Sequence, residues 1–185
     1  MKRHETVLQQ DQTLLLVVDY QEKLVPAMMD HDVMTADLNK LAQGMSLLHI
    51  PILVTEQYPK GLGYTLPDLM DALRGAVKVE KTTFSCCGDA SFAAELEKRK
   101  VKQIVLAGIE SHVCILQTGL DLLGHGYQVH IPLETNGSRA LKHKENALRR
   151  LEAAGAILTN VESALFELMV DSKHPAFRDI QKVIK

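Results

Sequence analysis

The stretch Gln103-Ile104-Val105-Leu106-Ala107-Gly108-Ile109-Glu110-Ser111-His112-Val113-Cys114 passes from an apolar run, through a glycine, into what reads as the start of a helix. An apolar run without polar alternation is how a strand covered on both faces reads. A thiol in the first turn of the following helix meets unpaired backbone N–H groups and the positive end of the helix dipole, and both favour thiolate over thiol. Two further ionisable residues stand in the same relation to a run. Asp19 ends Leu14-Leu15-Leu16-Val17-Val18, and Lys81 follows Ala76-Val77-Lys78-Val79-Glu80. If these runs are parallel strands of one sheet, a carboxylate, an ammonium and a thiol reach the same sheet edge.

Working outward, β-rich runs alternate with helical patterns along the chain. Strands are expected at 13–18, 52–55, 76–79, 103–108 and 128–131, with a weaker one at 156–159. The residues 36–48 carry apolar positions at 38, 41, 45 and 48, the stripe of a buried helix face. Stretches 91–100 and 113–123 read similarly. Ser138 as N-cap and Gly155 after the end bracket a helix to Ala154. A short helix at 162–170 and another after Pro175 complete the pattern. Such alternation predicts an α/β fold: a three-layer α/β/α sandwich, Rossmann-like, with a central, mostly parallel sheet of about six strands. No Gly-, Ser- or Pro-rich linker or internal repeat divides the chain, so residues 1–185 are expected to form one domain. Ligands in such sheets bind beyond the carboxyl ends of the strands. Asp19, Glu56-Gln57-Tyr58, Lys81 and Cys114 all sit at such ends.

Composition excludes several classes. A formal charge of −2 argues against a nucleic-acid or anionic-membrane surface. No apolar stretch approaches the roughly 18 residues needed to span a bilayer. The charged N-terminus runs into Gln9-Gln10-Asp11-Gln12 rather than an apolar segment, so a secretory signal is not expected. Three cysteines, Cys86, Cys87 and Cys114, make a poor disulfide framework and favour a reducing, cytoplasmic setting. No paired spacing suggests zinc, and neither a metal nor another cofactor is expected.

The chemistry follows from residue type. Cys114 supplies a nucleophile whose pKa can fall from about 8.5 toward neutral beside a cation and a helix N-terminus. Lys81 is that cation. Asp19 accepts the thiol proton and later passes it to a leaving group. Backbone N–H groups of Glu110 and Cys114 can hold a developing oxyanion, since Gly108 relaxes the turn there. Gln21, Gln57, Tyr58, Phe84, Ser111 and His112 are candidate substrate contacts around this mouth. Each has a plainer reading: Gln21 as a first-turn polar residue, Phe84 as a core contact, His112 as a loop donor. Cys86 and Cys87 read as small buried residues, with a resolving-cysteine role as the alternative. Gly119 reads as a close-packing position, and Lys142-His143-Lys144-Glu145 as a solvated helix face.

Val-Val-Asp19-Tyr-Gln, Glu-Lys81-Thr-Thr-Phe-Ser and Gly-Ile-Glu-Ser-His-Val-Cys114-Ile-Leu-Gln-Thr together resemble the isochorismatase-like hydrolases, in order and from about Thr13 to about Ala164. That superfamily includes isochorismatases, nicotinamidases and N-carbamoylsarcosine amidases. The resemblance implies an Asp–Lys–Cys triad on Asp19, Lys81 and Cys114, and a non-proline cis peptide between Ile109 and Glu110 that turns an amide toward the oxyanion. Thr55-Glu56-Gln57-Tyr58-Pro59-Lys60-Gly61-Leu62-Gly63 looks like the branch of isochorismatase domain-containing proteins. Metal-binding nicotinamidases carry Asp-x-His in this loop; Glu56-Gln57-Tyr58 replaces it, so a zinc ion and nicotinamide specificity are not implied. His31 reads as a surface residue. The resemblance implies hydrolysis of a small amide, or of a vinyl ether, through a thioester in the amide case. The alternative is a non-catalytic or redox-sensing domain that binds a protein partner. Relatives commonly assemble, and apolar Met28, Met29, Leu122 and Leu123 are available for self-association.

Overall fold

All six side chains of β1 (Thr13–Val18) are buried, and their alternation divides the core in two. Leu15 and Val17 point to one face of the sheet, Leu14, Leu16 and Val18 to the other. The computed structural model describes residues 3–185; Met1 and Lys2, the start of the charged N-terminal stretch, lie outside the described residues.

The remaining elements follow in order: α1 (His31–Leu47), β2 (Ile52–Gln57), a single turn α2 (Pro59–Leu62), β3 (Val77–Lys81), α3 (Ala90–Glu97) and β4 (Gln103–Ile109). A π-helical turn, Ser111–Ile115, leads into α4 (Leu116–Gly124). Then come β5 (Gln128–Pro132), β6 (Asn136–Gly137), α5 (Leu141–Ala153), β7 (Ile157–Thr159), α6 (Val161–Met169) and α7 (Phe177–Ile184). The strand order is β3-β2-β1-β4-β5-β7, with β6 paired to the end of β4, and every pair is parallel. Helices α1, α6 and α7 bury Leu38, Leu41, Leu165 and Ile180 against one face. Helices α3, α4 and α5 bury Phe92, Leu122 and Leu151 against the other. Each such fully buried large side chain stabilises the fold by roughly 1.5–3 kcal/mol. The α/β/α sandwich expected from the sequence is the fold, with seven strands rather than six.

Several boundaries differ from the expectation. Helix α1 begins five residues earlier, at His31, because Met34 buries into the core and extends the apolar stripe by a turn. Ser138 does not cap α5, which starts at Leu141 after Ala140. The Ser138 hydroxyl instead meets His112, and its carbonyl accepts the Met29 amide. Met28 and Leu122 are core residues and Leu123 is partly buried, leaving only Met29 of the four apolar candidates well exposed.

Sheet order reverses direction between β1 and β4, and that is where the backbone approaches closest. Gly108 lies opposite Val18 at φ 141°, and a Cβ built there would stand 2.3 Å from the Val18 carbonyl oxygen. Only glycine allows the two strand ends to run side by side. Gly119 does the same for helices: its Cβ would fall 2.6 Å from Leu151 Cδ2, so α4 lies directly on α5.

Candidate active site

The parallel register sets the site. Val18 pairs with Thr55 and with Gly108, and Gln57 pairs with Lys81, so the ends of four strands, β1 to β4, finish at one rim. Asp19 takes a left-handed conformation (φ 54°), a region that Asp tolerates better than most side chains. Its amide donates to the Thr55 carbonyl at 3.0 Å and its own carbonyl accepts from Gln21 N at 2.9 Å. The carboxylate is thereby turned across the strand ends rather than out into solvent, and Asp19 has no exposed surface.

Lys81 closes β3 and reaches across the end of β2. Its ammonium donates to Asp19 Oδ2 and to Gln57 Oε1, both at 2.7 Å, and to the Thr83 carbonyl at 3.1 Å. Three good acceptors match the three N–H bonds of an ammonium, which is how a lysine only 2% exposed stays satisfied. The Cys114 sulfur lies 3.8 Å from the same nitrogen. Asp19 Oδ1 accepts from the Thr55 hydroxyl at 2.8 Å. Thr55 in turn contacts Cys86 Sγ at 3.8 Å, and the Cys86 amide donates to Thr118 Oγ1 at 3.0 Å. Thus carboxylate, ammonium and thiol do meet at one point.

The thiol is not in the state expected from its place in the chain. Cys114 sits in the π turn ahead of α4 and is 7% exposed. Burial pushes its pKa up to about 12, the adjacent Asp19 carboxylate pushes the same way, and Lys81 only partly offsets them. The expected fall toward neutral is therefore corrected: in this closed site the resting group is a thiol, hydrogen-bonded toward Asp19. Burial likewise raises Cys86 to about 11. The peptide between Ile109 and Glu110 is cis. Beyond it, the Val113 and Ile115 amides donate to the Glu110 carbonyl at 3.0 and 3.2 Å, while the Cys114 amide between them does not.

The other candidate residues divide by how their polar atoms are used. Gln21 is fully buried and its amide is spent: Nε2 donates to the Gln57 and Gly63 carbonyls, and Oε1 accepts the Gln57 amide. It clamps the 58–66 loop, together with Glu56, whose carboxylate accepts the Thr65 amide and hydroxyl at 2.8 and 2.6 Å. Gln57 holds Lys81 through Oε1 and the Thr82 carbonyl through Nε2. Ser111 is buried and donates to the Gly137 carbonyl. His112 hydrogen-bonds Ser138 and stacks on His143 at 4.7 Å, with its pKa lowered chiefly by burial. Tyr58 and Phe84 are exposed at the rim, so Phe84 is not the core contact of its plainer reading. Lys144, on the face expected to be solvated, is half-buried. His31 is partly exposed, as read. Thr55 was not singled out from the sequence; the available signal was a polar residue on the Leu53 side, directly after the apolar Ile52-Leu53-Val54. Among the described residues, no group of three or more His, Cys, Asp or Glu side chains is placed to hold a metal ion.

An all-parallel sheet of this order, with a buried acid, amine and thiol at its switch point, defines a three-layer α/β domain whose candidate site lies where the strand order reverses. The chain belongs to the isochorismatase family: the Isochorismatase domain model matches residues 13–163. It is similar to isochorismatase domain-containing protein 1 of Danio rerio, 42% identical over 167 residues that make up 90% of this chain and 59% of that protein. The chain thus spans about three fifths of that relative's length. It is 38% identical to isochorismatase domain-containing protein 2A of Mus musculus, covering 95% of this chain and 84% of the relative. Among solved structures, one described as MAR1 ribonuclease from Caenorhabditis elegans superposes with a TM-score of 0.91 at 37% identity, covering 96% of this chain and 92% of that one. The YcaC protein of Escherichia coli, described as an octameric hydrolase of unknown specificity, shares the fold with a TM-score of 0.88 at 20% identity, covering 100% and 98%.

Proposed function

We propose that this protein is a cysteine hydrolase that cleaves a small amide, or a related C–N or C–O bond, through Asp19, Lys81 and Cys114. The observation that carries the reading is the chain of contacts from sulfur to ammonium at 3.8 Å and from ammonium to carboxylate at 2.7 Å, in a site closed to solvent. A thiol with a raised pKa does not attack until its proton has somewhere to go. Asp19 takes that proton as sulfur bonds to the substrate carbonyl carbon. Lys81 offsets the negative charge that would otherwise accumulate, and the amides of Glu110 and Cys114 hold the oxyanion. Protonated Asp19 then gives its proton to the leaving nitrogen as the C–N bond breaks, leaving a thioester. Water, deprotonated by Asp19, attacks the thioester, and sulfur leaves with the proton from Asp19.

In this reading Tyr58 and Phe84 line the mouth, while Gln57, Gln21, Ser111 and His112 support it by holding Lys81 and the flanking loops. In this reading the substrate is a small molecule rather than a nucleic acid: the Lys81 ammonium is buried and held by three oxygens, and the chain's formal charge is −2. Self-association fits the exposed Met29, Val33 and Leu141 and the octamer described for the Escherichia coli relative.

The test is Cys114→Ala and Asp19→Asn against a panel of small amides, with mass spectrometry for an acyl adduct on Cys114. Loss of turnover in both and an adduct in wild type are expected; unchanged turnover in both sinks the triad. Burial of the thiol favours one competitor, a non-catalytic domain with an inert cysteine, which predicts neither turnover nor adduct. An RNA substrate in the same panel tests the activity for which the Caenorhabditis elegans relative is named.

A further inference from the structure

Behind the triad, Thr55 and Cys86 complete the surroundings of Asp19, and neither takes part in the hydrolytic steps. Thr55 has no exposed surface and holds Asp19 twice: its carbonyl accepts the Asp19 amide at 3.0 Å, and its hydroxyl donates to Oδ1 at 2.8 Å. Lys81 holds the other oxygen, Oδ2, at 2.7 Å. The two anchors come from different strands, β2 and β3, and grip different oxygens. One donor alone leaves a carboxylate free to swivel about its terminal torsion, which is broad and two-fold. Two donors on two oxygens fix its plane. The Cys114 thiol, hydrogen-bonded toward the same carboxylate, then meets an acceptor of set direction.

The direction of the Thr55 hydroxyl is set as well. A hydroxyl carries one proton and two lone pairs. Cys86 Sγ lies 3.8 Å from Thr55 Oγ1, and burial pushes its pKa up to about 11, so it stands behind the hydroxyl as a donor. Thr118, buried on α4, accepts the Cys86 amide at 3.0 Å and fixes the cysteine in that place. With one lone pair of Oγ1 taken by the thiol, the Thr55 proton is left to Asp19. We propose that Thr55 is a positioning residue, which aims the Asp19 carboxylate at the Cys114 thiol and is itself oriented by Cys86. The proposal rests on reading Asp19 as the acceptor of the thiol proton, and it gives Cys86 a part in which its sulfur never reacts.

The S–H stretching band of Cys114, isolated in each protein as the Raman difference against its Cys114→Ala counterpart, reports the thiol's hydrogen bond without any substrate. Thr55→Val keeps the main-chain bond to Asp19 and the shape of the side chain while removing the hydroxyl. Thr55→Ala is a second hydroxyl-free variant for use where the valine chain does not fold. In either, the Cys114 band should move to higher frequency, the mark of a weaker bond, and in Thr55→Ser it should stay at the wild-type position. Because Cys86 acts through Thr55, Cys86→Ala should move the band less than Thr55→Val does. For an amide that the wild type hydrolyses, Thr55→Val should lower kcat at least about tenfold with KM within about twofold, and Thr55→Ser should restore kcat. A band unmoved in the hydroxyl-free variants, an unchanged kcat in Thr55→Val, or a larger shift in Cys86→Ala than in Thr55→Val would overturn the proposal and leave Thr55 an ordinary buried hydroxyl. Absence of turnover in wild type would count against the hydrolase reading instead, and the band would still decide the part played by Thr55.

Discussion

Replacing Lys81 with methionine should destabilise the fold more than replacing Asp19 with asparagine, and the asymmetry can be worked from the contacts. In Lys81→Met the Asp19 carboxylate stays fully buried and keeps the Thr55 hydroxyl and the Cys114 thiol as donors. Breaking a buried pair in this way costs about 3–5 kcal/mol. In Asp19→Asn the ammonium keeps Gln57 Oε1 and the Thr83 carbonyl, and the new amide oxygen can still accept. That loss is closer to the value of one charge-assisted hydrogen bond, about 1.5–3 kcal/mol. The double variant removes both charges and should be more stable than the sum of the singles, by about 2 kcal/mol of coupling. Urea unfolding followed by circular dichroism, with the slope checked for constancy, measures all three. A Lys81→Met cost under about 1 kcal/mol, or a larger cost for Asp19→Asn, would refute the reasoning.

Further outcomes are expected elsewhere. Gly108→Ala forces a Cβ to 2.3 Å from the Val18 oxygen and 2.8 Å from its nitrogen, so a loss of at least about 3 kcal/mol, roughly 10 °C in melting temperature, is expected by calorimetry; a shift below 2 °C would contradict the tight switch point. His130 is buried with its pKa lowered by burial from 6.5 to about 4, so the folded state resists the proton that the unfolded chain takes up. The stability it contributes is whole above 6.5 and declines as pH falls toward 4, by about 3 kcal/mol at about 1.4 kcal/mol per unit; His130→Asn should flatten that decline in acid titrations, and an unchanged slope would exclude His130 as its source. Alkylation of Cys114 by iodoacetamide should be slow at neutral pH and still rising above pH 9, since its thiol is raised to about 12; a plateau reached near 8.5 would show an ordinary exposed thiol.

Much of this architecture was legible in the sequence because strands covered on both faces leave an unmistakable apolar run, and because glycine and charge mark where they stop. That is why Asp19, Lys81 and Cys114 could be read as three ends of one edge before any contact was known. What escaped depends on the third dimension. Strand β6 is two residues, Asn136-Gly137, too short to carry a period, and only its pairing with Gly108 and Ile109 makes it a strand. The start of α1 is decided by the burial of Met34, which local propensity cannot weigh. The thiol was misjudged for the same reason: its place in the chain announces a helix start, but its acidity is set by how much water remains around it. Thr55 shows the converse, a residue whose position was plain and whose partner was not.

Asp19 and Lys81 hang from strand ends and Cys114 from the turn after β4, whereas the segment bordering the mouth is pinned at its base by Gln21, Glu56 and Thr65. The two parts meet at Gln57, which holds Lys81 and is itself held by Gln21. New sequence grafted beyond that residue, within 59–64, would reshape the doorway while Asp19, Lys81 and Cys114 keep their mutual contacts, so a single scaffold of this design can be retuned to fresh molecules.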